Sequence, residues 1–289
     1  MKLAGAPISW GVCEVPGWGY QLGPDRVLSE MAGAGITATE LGPDGFLPAD
    51  PAELAALLAS HHLAAVGAFA PVLLHDPDHD PTPDIEPLLD AFESSGGRVL
   101  VLAAATGTDG YDSRPVIDET GWRTLLNNLD RLAEVAAARG AIAVLHPHVG
   151  TMVERRDEVQ RVLDGARIPL CLDTGHLLVG GTDPAALANE YPNRIAHVHL
   201  KDVDAGLAAR VRDGELSYTD AVRAGMYRPL GAGDVGIAGI VRDLDAAGYD
   251  GWYVLEQDTV LDGEPAGVGP LADVEASIEF LKSATVGAR

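Results

Sequence analysis

Ile142-Ala-Val-Leu-His146-Pro-His148, Ile168-Pro-Leu-Cys-Leu-Asp173-Thr-Gly-His176, Ile195-Ala-His-Val-His199-Leu-Lys201-Asp202 and Trp252-Tyr-Val-Leu-Glu256-Gln-Asp258 follow one plan. Each is a short apolar run that ends in a side chain able to bind a metal. Apolar runs bounded by turn or helix signals read as strands covered on both faces, the habit of parallel sheets. The polar group then stands at the strand's carboxyl end. In a closed barrel of alternating strands and helices, that rim carries the active site. Four segments far apart along the chain would therefore aim imidazoles and carboxylates at one point, as a metal site requires.

Working outward, the whole chain alternates strand-like and helix-like segments, which predicts a parallel sheet with crossover helices. Strands are expected at Leu3–Trp10, Ala38–Leu41, Ala64–Ala70, Arg98–Ala104, Ile142–His146, Pro169–Asp173, Ala196–Leu200 and Trp252–Glu256. Apolar residues spaced three and four apart predict helices at Asp25–Ala34, Pro51–His61, Ile85–Ser94, Trp122–Arg139, Arg156–Leu163, Pro184–Glu190 and Ile237–Ala247. Eight strands with helices between them predict an α/β fold of the (β/α)8 TIM-barrel type. The 289 residues suit a single domain of that kind. One connection, Val203 to Val235, is longer than most. Its stretches Asp204–Arg212 and Ser217–Ala224 have helical spacing, and it is expected to cover the site.

Composition narrows the function. With 20 basic against 43 acidic residues the net charge is −23. That field repels a phosphate backbone and argues against nucleic acid as a partner. Two cysteines, Cys13 and Cys171, make no disulfide framework and fit a cytoplasmic protein. No apolar stretch reaches membrane length, and the start Met1-Lys-Leu-Ala-Gly-Ala-Pro7 reads as a first strand and not as a signal peptide. No glycine fingerprint for a dinucleotide follows that strand, and no Walker-type motif occurs.

Asp173 and Glu256 are the strongest ligand candidates, since ionised carboxylates ending buried strands are costly unless a cation or hydrogen bonds receive them. His199 joins them. His197 lies two residues earlier, and the expectation is that one of the pair points into the barrel and the other toward the helices. The group His75, Asp76, Asp78, His79 and Asp80 looks metal-like, but Pro77, Pro81 and Pro83 mark it as a solvated loop.

At these segments the chain resembles the xylose-isomerase-like superfamily of sugar-phosphate isomerases and epimerases, and within it the inosose dehydratases of myo-inositol catabolism. The likeness covers most of the chain: A-P-I-S-W at Ala6–Trp10, T-E-L-G-P-D-G at Thr39–Gly45, H-P-H-V-G-T at His146–Thr151, D-T-G-H at Asp173–His176 and H-V-H-L-K-D at His197–Asp202. It continues through Gly214–Gly225, P-L-G-A-G-D at Pro229–Asp234 and the run ending E-Q-D at Asp258. The resemblance implies one divalent ion on the carboxyl rim, held by His146, Asp173, His199 and Glu256. Where the epimerases place a metal-binding, proton-moving glutamate on the fifth strand, this chain has His146, which weakens a two-glutamate epimerisation. Either His146 or His148 is the inner ligand.

The implied reaction is dehydration of a keto-inositol through an enediolate. A base takes a carbon-bound proton, an acid protonates the departing hydroxyl, and a Lewis acid stabilises the charge between. Glu256 or His176 is the candidate base and Lys201 or His148 the candidate acid; the alternative for Lys201 is to pair with Asp202 or to orient a substrate oxygen. Glu40, Trp10 and Asp202 are candidates for holding the substrate, Trp10 as an apolar wall. Mn²⁺ or Co²⁺ suits mixed imidazole and carboxylate ligands, and Zn²⁺ or Mg²⁺ is compatible. Isomerisation or epimerisation of a keto-sugar, or cleavage of a 3-keto-glycoside, is the alternative on the same fold. A homo-oligomer is compatible with everything above.

Overall fold

The computed structural model describes residues 1–286. In chain order the elements are β1 (Lys2–Gly5), α1 (Pro24–Gly33), β2 (Ala38–Thr39), α2 (Pro51–Ser60), β3 (Ala64–Ala65), β4 (Gly67–Val72), α3 (Thr82–Ser95), β5 (Val99–Ala104), α4 (Glu119–Ala138), β6 (Ile142–Leu145) and α5 (Arg156–Gly165). They continue with β7 (Leu170–Asp173), α6 (Thr174–Val179), α7 (Pro184–Glu190), β8 (Ile195–Leu200), β9 (Asp202–Val203), α8 (Ala205–Arg212), α9 (Tyr218–Arg223), β10 (Tyr227–Arg228), α10 (Ile237–Ala246), β11 (Trp252–Leu255) and α11 (Leu271–Val286).

The main sheet runs β3-β2-β1-β11-β8-β7-β6-β5-β4, with every pairing parallel. Its two end members, β3 and β4, are halves of one strand separated by Val66, so the sheet closes on itself as a TIM barrel. The break marks a change of partner: Val66 N–H still bonds Thr39 O at 2.9 Å, and from Gly67 onward the ladder is with β5. Gly67 makes the close approach feasible, because a Cβ there would stand 2.1 Å from the Val99 carbonyl oxygen.

Strand side chains alternate between faces, and two cores follow from that period of two. Small residues such as Ala4, Val99, Val101, Val144, Cys171 and Val254 fill the barrel interior. Leu100, Leu102, Leu145, Leu172, Val198, Leu200 and Tyr253 face outward into the layer shared with the helices. The same alternation corrects the expectation for His197 and His199. Residues two apart share a face, and both imidazoles bond the same Glu40 carboxylate inside the barrel.

Helix boundaries agree with the expected spans to within about one turn, and Pro184–Glu190 to the residue. The first strand is shorter than expected. It ends at Gly5, and Pro7–Trp10 forms a 3₁₀ turn, since proline has no N–H for the ladder and fixes its own φ. Trp10 therefore turns into the core, fully buried, and its indole N–H donates to Glu30 Oε2 at 2.7 Å. The proposed apolar wall for a substrate is a core residue. Two helices lay outside the expected set, the short α6 after Asp173 and α11, which buries Val274, Ile278 and Leu281.

The long connection contains both expected helices, each capped by the side chain before it: Asp204 for α8 and Ser217 for α9. β9 and β10 pair antiparallel, Val203 with Tyr227 and Asp202 with Arg228, which folds the excursion back over the rim. Asp202 holds it there. Its carboxylate accepts from the backbone N–H groups of Gly231 at 2.8 Å, Gly233 at 3.1 Å, and Val203 and Val235 at 3.0 Å. Asp202 is thus an organiser of the loop, with no oxygen left for a substrate.

Candidate metal centre

Four strand ends meet inside the rim. His146 follows β6, Asp173 ends β7, His199 lies in β8 and Glu256 follows β11. One ligand atom from each lies within 4.8 Å of the others. His146 Nε2 is 3.2 Å from Asp173 Oδ2, and His199 Nδ1 is 3.6 Å from that oxygen and 2.6 Å from Glu256 Oε2. These approaches are close but poorly directed, and all four atoms are buried without a hydrogen bond. Unpaired polar atoms in a protein interior cost roughly 1–3 kcal/mol each, and more when charged. Two nitrogens and two carboxylate oxygens, without a hydrogen bond and with only the Lys201 ammonium beside the oxygens, fit a divalent cation. His146 belongs to this set; His148 stands beside it.

Local structure explains why each ligand atom is free. Asp173 caps α6: its Oδ1 accepts from Gly175 N–H at 2.9 Å and His176 N–H at 2.7 Å, which leaves Oδ2 for the centre. The D-T-G-H glycine is needed for contact, since a Cβ on Gly175 would meet Lys201 Cβ at 2.6 Å. Burial would raise the Asp173 carboxyl, but Lys201, His176 and the two facing imidazoles hold it well below its usual range. His199 Nε2 lies 3.0 Å from Glu40 Oε1 and carries the hydrogen of that contact, which would turn Nδ1 to a cation when one is bound. A carboxylate behind a ligand histidine fixes ring and tautomer in this way. Glu40 lines the cavity, yet its Oε1 is committed to His199 and to His197 at 2.8 Å. Burial favours its neutral form, and the two imidazoles outweigh that and keep it strongly acidic. Glu40→Gln should weaken Mn²⁺ binding by about 10–100-fold, the usual cost of losing such an outer partner. Competition with a chelator measures it, and an unchanged affinity would remove Glu40 from this role.

Beside the ligands stands Lys201, buried, with Nζ 3.1 Å from Glu256 Oε2, 3.8 Å from Asp173 Oδ2 and in close ion-pair contact with Asp258. Burial pulls its pKa down, but Asp258, Glu256 and Asp173 outweigh this and keep it protonated well above the ordinary range. Its expected partner Asp202 is not among these contacts. Asp173, Glu256 and Asp258 are three buried carboxyl groups around one ammonium, a setting suited to a further cation.

His148 lines the cavity, and its Nδ1–H donates to the Val149 carbonyl at 2.7 Å, leaving Nε2 as an acceptor. Burial, His146 and Lys201 hold it neutral, well below the usual histidine range. The candidate role as acid needs the imidazolium, which burial and these two neighbours disfavour, while the neutral ring keeps an acceptor at Nε2. His176 sits behind it, rings 3.7 Å apart, with Nε2 3.2 Å from Lys201 Nζ. Burial, His148 and Lys201 keep His176 neutral as well.

Several site residues had no role in the sequence reading. Asp258 follows Glu256 by two residues and so shares its face; it bonds Lys201 and the Tyr218 hydroxyl. Tyr218 and Tyr227, both buried, come from the long connection, and Tyr227 Oη lies 3.4 Å from His176 Nδ1. Tyr111 and Glu14, bonded to each other, line the mouth from two other loops. The spacing E-x-D would have found Asp258; nothing local in the sequence marks the tyrosines. The acidic loop after β4 spends its groups on its own surroundings, His79 on Asp84 and Asp80 on Arg131 and Thr82 N–H.

Closed barrel and rim geometry define a class, and a family model described as "Xylose isomerase-like TIM barrel" matches residues 28–284. The chain belongs to that family. Among curated proteins it is similar to an inosose dehydratase of Geobacillus thermodenitrificans (strain NG80-2), 33% identical over 269 residues that cover 89% of this chain and 90% of that protein. It is also similar to the rhizopine catabolism protein MocC of Rhizobium meliloti, 34% identical over 267 residues, covering 89% of this chain and 82% of MocC. Among solved structures, the IOLI protein with a bound zinc atom superposes with a TM-score of 0.68 at 15% identity, covering 99% of this chain and 97% of that one. Among the described residues no helix is long and apolar enough to cross a membrane.

Proposed function

We propose that this enzyme removes water from a keto-inositol, with a divalent cation held by His146, Asp173, His199 and Glu256. The observation that carries the reading is the convergence of four unpaired ligand atoms on a cavity that also presents a protonated Lys201 and a neutral His148. Support also comes from the inosose dehydratase relatives, about a third identical over most of the chain. Mn²⁺ or Co²⁺ suits this donor set, and the similarly folded IOLI protein, which binds a zinc atom, supports a divalent ion here.

When bound, the cation supplies Lewis-acid stabilisation for negative charge growing on a carbonyl oxygen. His148 Nε2 accepts the proton from the carbon next to that carbonyl, its tautomer held by Val149. Glu256, drawn down by His199 and Lys201 against the effect of burial, is held ionised and serves as a ligand. Lys201 meets the hydroxyl that leaves and gives it a proton, so the C–H and C–O bonds break, a C=C bond forms and water departs. Tyr218 and Asp258 hold the Lys201 ammonium in place, and the long connection that carries Tyr218 acts as the cover over the site.

Proton NMR of an inosose incubated with the enzyme and Mn²⁺ or Co²⁺ in D₂O tests the proposal. A dehydrated product is expected. Recovery of an isomer deuterated at the exchanged carbon, with no loss of water, would assign epimerisation instead.

A further inference from the structure

Cys171 stands two residues before Asp173 on β7, so both side chains enter the barrel, with Cys171 one layer deeper and level with His197 on β8. Its Sγ, one nitrogen of His146 and one of His199 lie within 4.8 Å of one another. The same two imidazoles face Asp173 and Glu256. A second observation concerns His146. Both of its ring nitrogens are buried and unpartnered, whereas His199 is braced by Glu40. A ligand histidine ordinarily donates its other N–H to an outer partner that fixes the ring. Apart from Asp173 Oδ2 at 3.2 Å from Nε2, His146 has ring neighbours, Phe69, His148, His176 and His199, and no outer partner holds its Nδ1.

We propose that the barrel holds two overlapping cation positions that share His146 and His199: an outer one completed by Asp173 and Glu256 for hard ions such as Mn²⁺, and an inner one completed by Cys171 for thiophilic ions such as Cd²⁺. The proposal rests on the metal-centre reading above. Thiolate selects soft ions and carboxylate hard ones, so the same pair of imidazoles serves either according to the ion supplied. On entry of a soft ion the Cys171 S–H bond breaks, an S–metal bond forms and the proton leaves to solvent, with no change of oxidation state. Because the imidazoles are shared, filling one position empties the other. A soft ion is therefore an inhibitor that acts by displacing the hard one.

The test uses the full chain, stripped with a chelator and titrated with Cd²⁺ alone while ultraviolet absorption reports thiolate-to-metal charge transfer. Mn²⁺ binding is followed in parallel by electron paramagnetic resonance. The charge-transfer band is expected in the native protein and in Cys13→Ala, and is expected to vanish in Cys171→Ala and in Cys171→Ser, which retains the side-chain volume. Cys171→Ala should lose more Cd²⁺ affinity than the roughly 10–100-fold that an outer partner supplies, while Mn²⁺ affinity is retained. Cd²⁺ should release Mn²⁺ one for one. A band that persists without Cys171, or Cd²⁺ and Mn²⁺ bound together, overturns the shared position. If Mn²⁺ binds one per chain but Cd²⁺ gives no thiolate band, only the inner position falls; if Mn²⁺ fails to bind, the metal centre itself falls.

Discussion

Asp173→Asn is expected to leave the barrel folded and to lower turnover by about a thousandfold or more, because a cation at this centre supplies several kcal/mol of transition-state stabilisation. The substitution separates two jobs of one side chain. An amide oxygen still caps α6 through Gly175 and His176, so the cap, worth about 1 kcal/mol, survives. What disappears is the charge on Oδ2, the atom that faces His146 and His199 without a hydrogen bond. Metal content after dialysis and the rate of inosose loss should fall together while the melting temperature moves little. Normal activity in a variant without metal would end the metal-centre account.

Lys201→Met should be the most damaging single change to stability. Lys201 is the ammonium shared by Asp173, Glu256 and Asp258, and removing one partner of a buried ion pair costs about 3–5 kcal/mol because the other charges remain buried. For a chain of this size that amounts to a fall in Tm on the order of 10 °C, read by calorimetry with chelator present so that no cation takes the place of the ammonium. Turnover should be lost with metal restored, since the departing hydroxyl has lost its proton donor. An unchanged Tm would mean that the carboxylates are not ionised together.

Much of this molecule is legible in the sequence because its two governing periods are local. Runs such as Ile195–Leu200 announce covered strands, and a residue at the end of such a run is on the carboxyl rim wherever the barrel closes. That is why Asp173, Glu256 and His199 stand out from the residues alone; the family resemblance adds His146, and the structure brings the four together. The failures have equally physical origins. Trp10 was placed at a strand end because Pro7 was not allowed to end the strand. Splitting His197 and His199 between the two faces goes against the period of two. Asp202 was offered to a substrate because its four backbone donors come from residues up to 33 positions away, a tertiary fact with no local sign. Tyr218 and Tyr227 reach the site only through the fold of the long connection. His146 and His148, likewise, are separated only by the fold, which puts a nitrogen of His146 within 4.8 Å of ligand atoms of Asp173, His199 and Glu256.

The anchoring of the excursion by Asp202 has an engineering consequence. The phenols of Tyr218 and Tyr227 are aimed by a carboxylate that never meets the reactants, and a Cβ on Gly233 would sit 2.4 Å from its Oδ1. Transplanting this cap between barrels to change selectivity would therefore succeed only as a cassette from Asp202 through Val235, glycines included. A graft trimmed to the two phenols would carry the chemistry and leave behind the hinge pin that aims it.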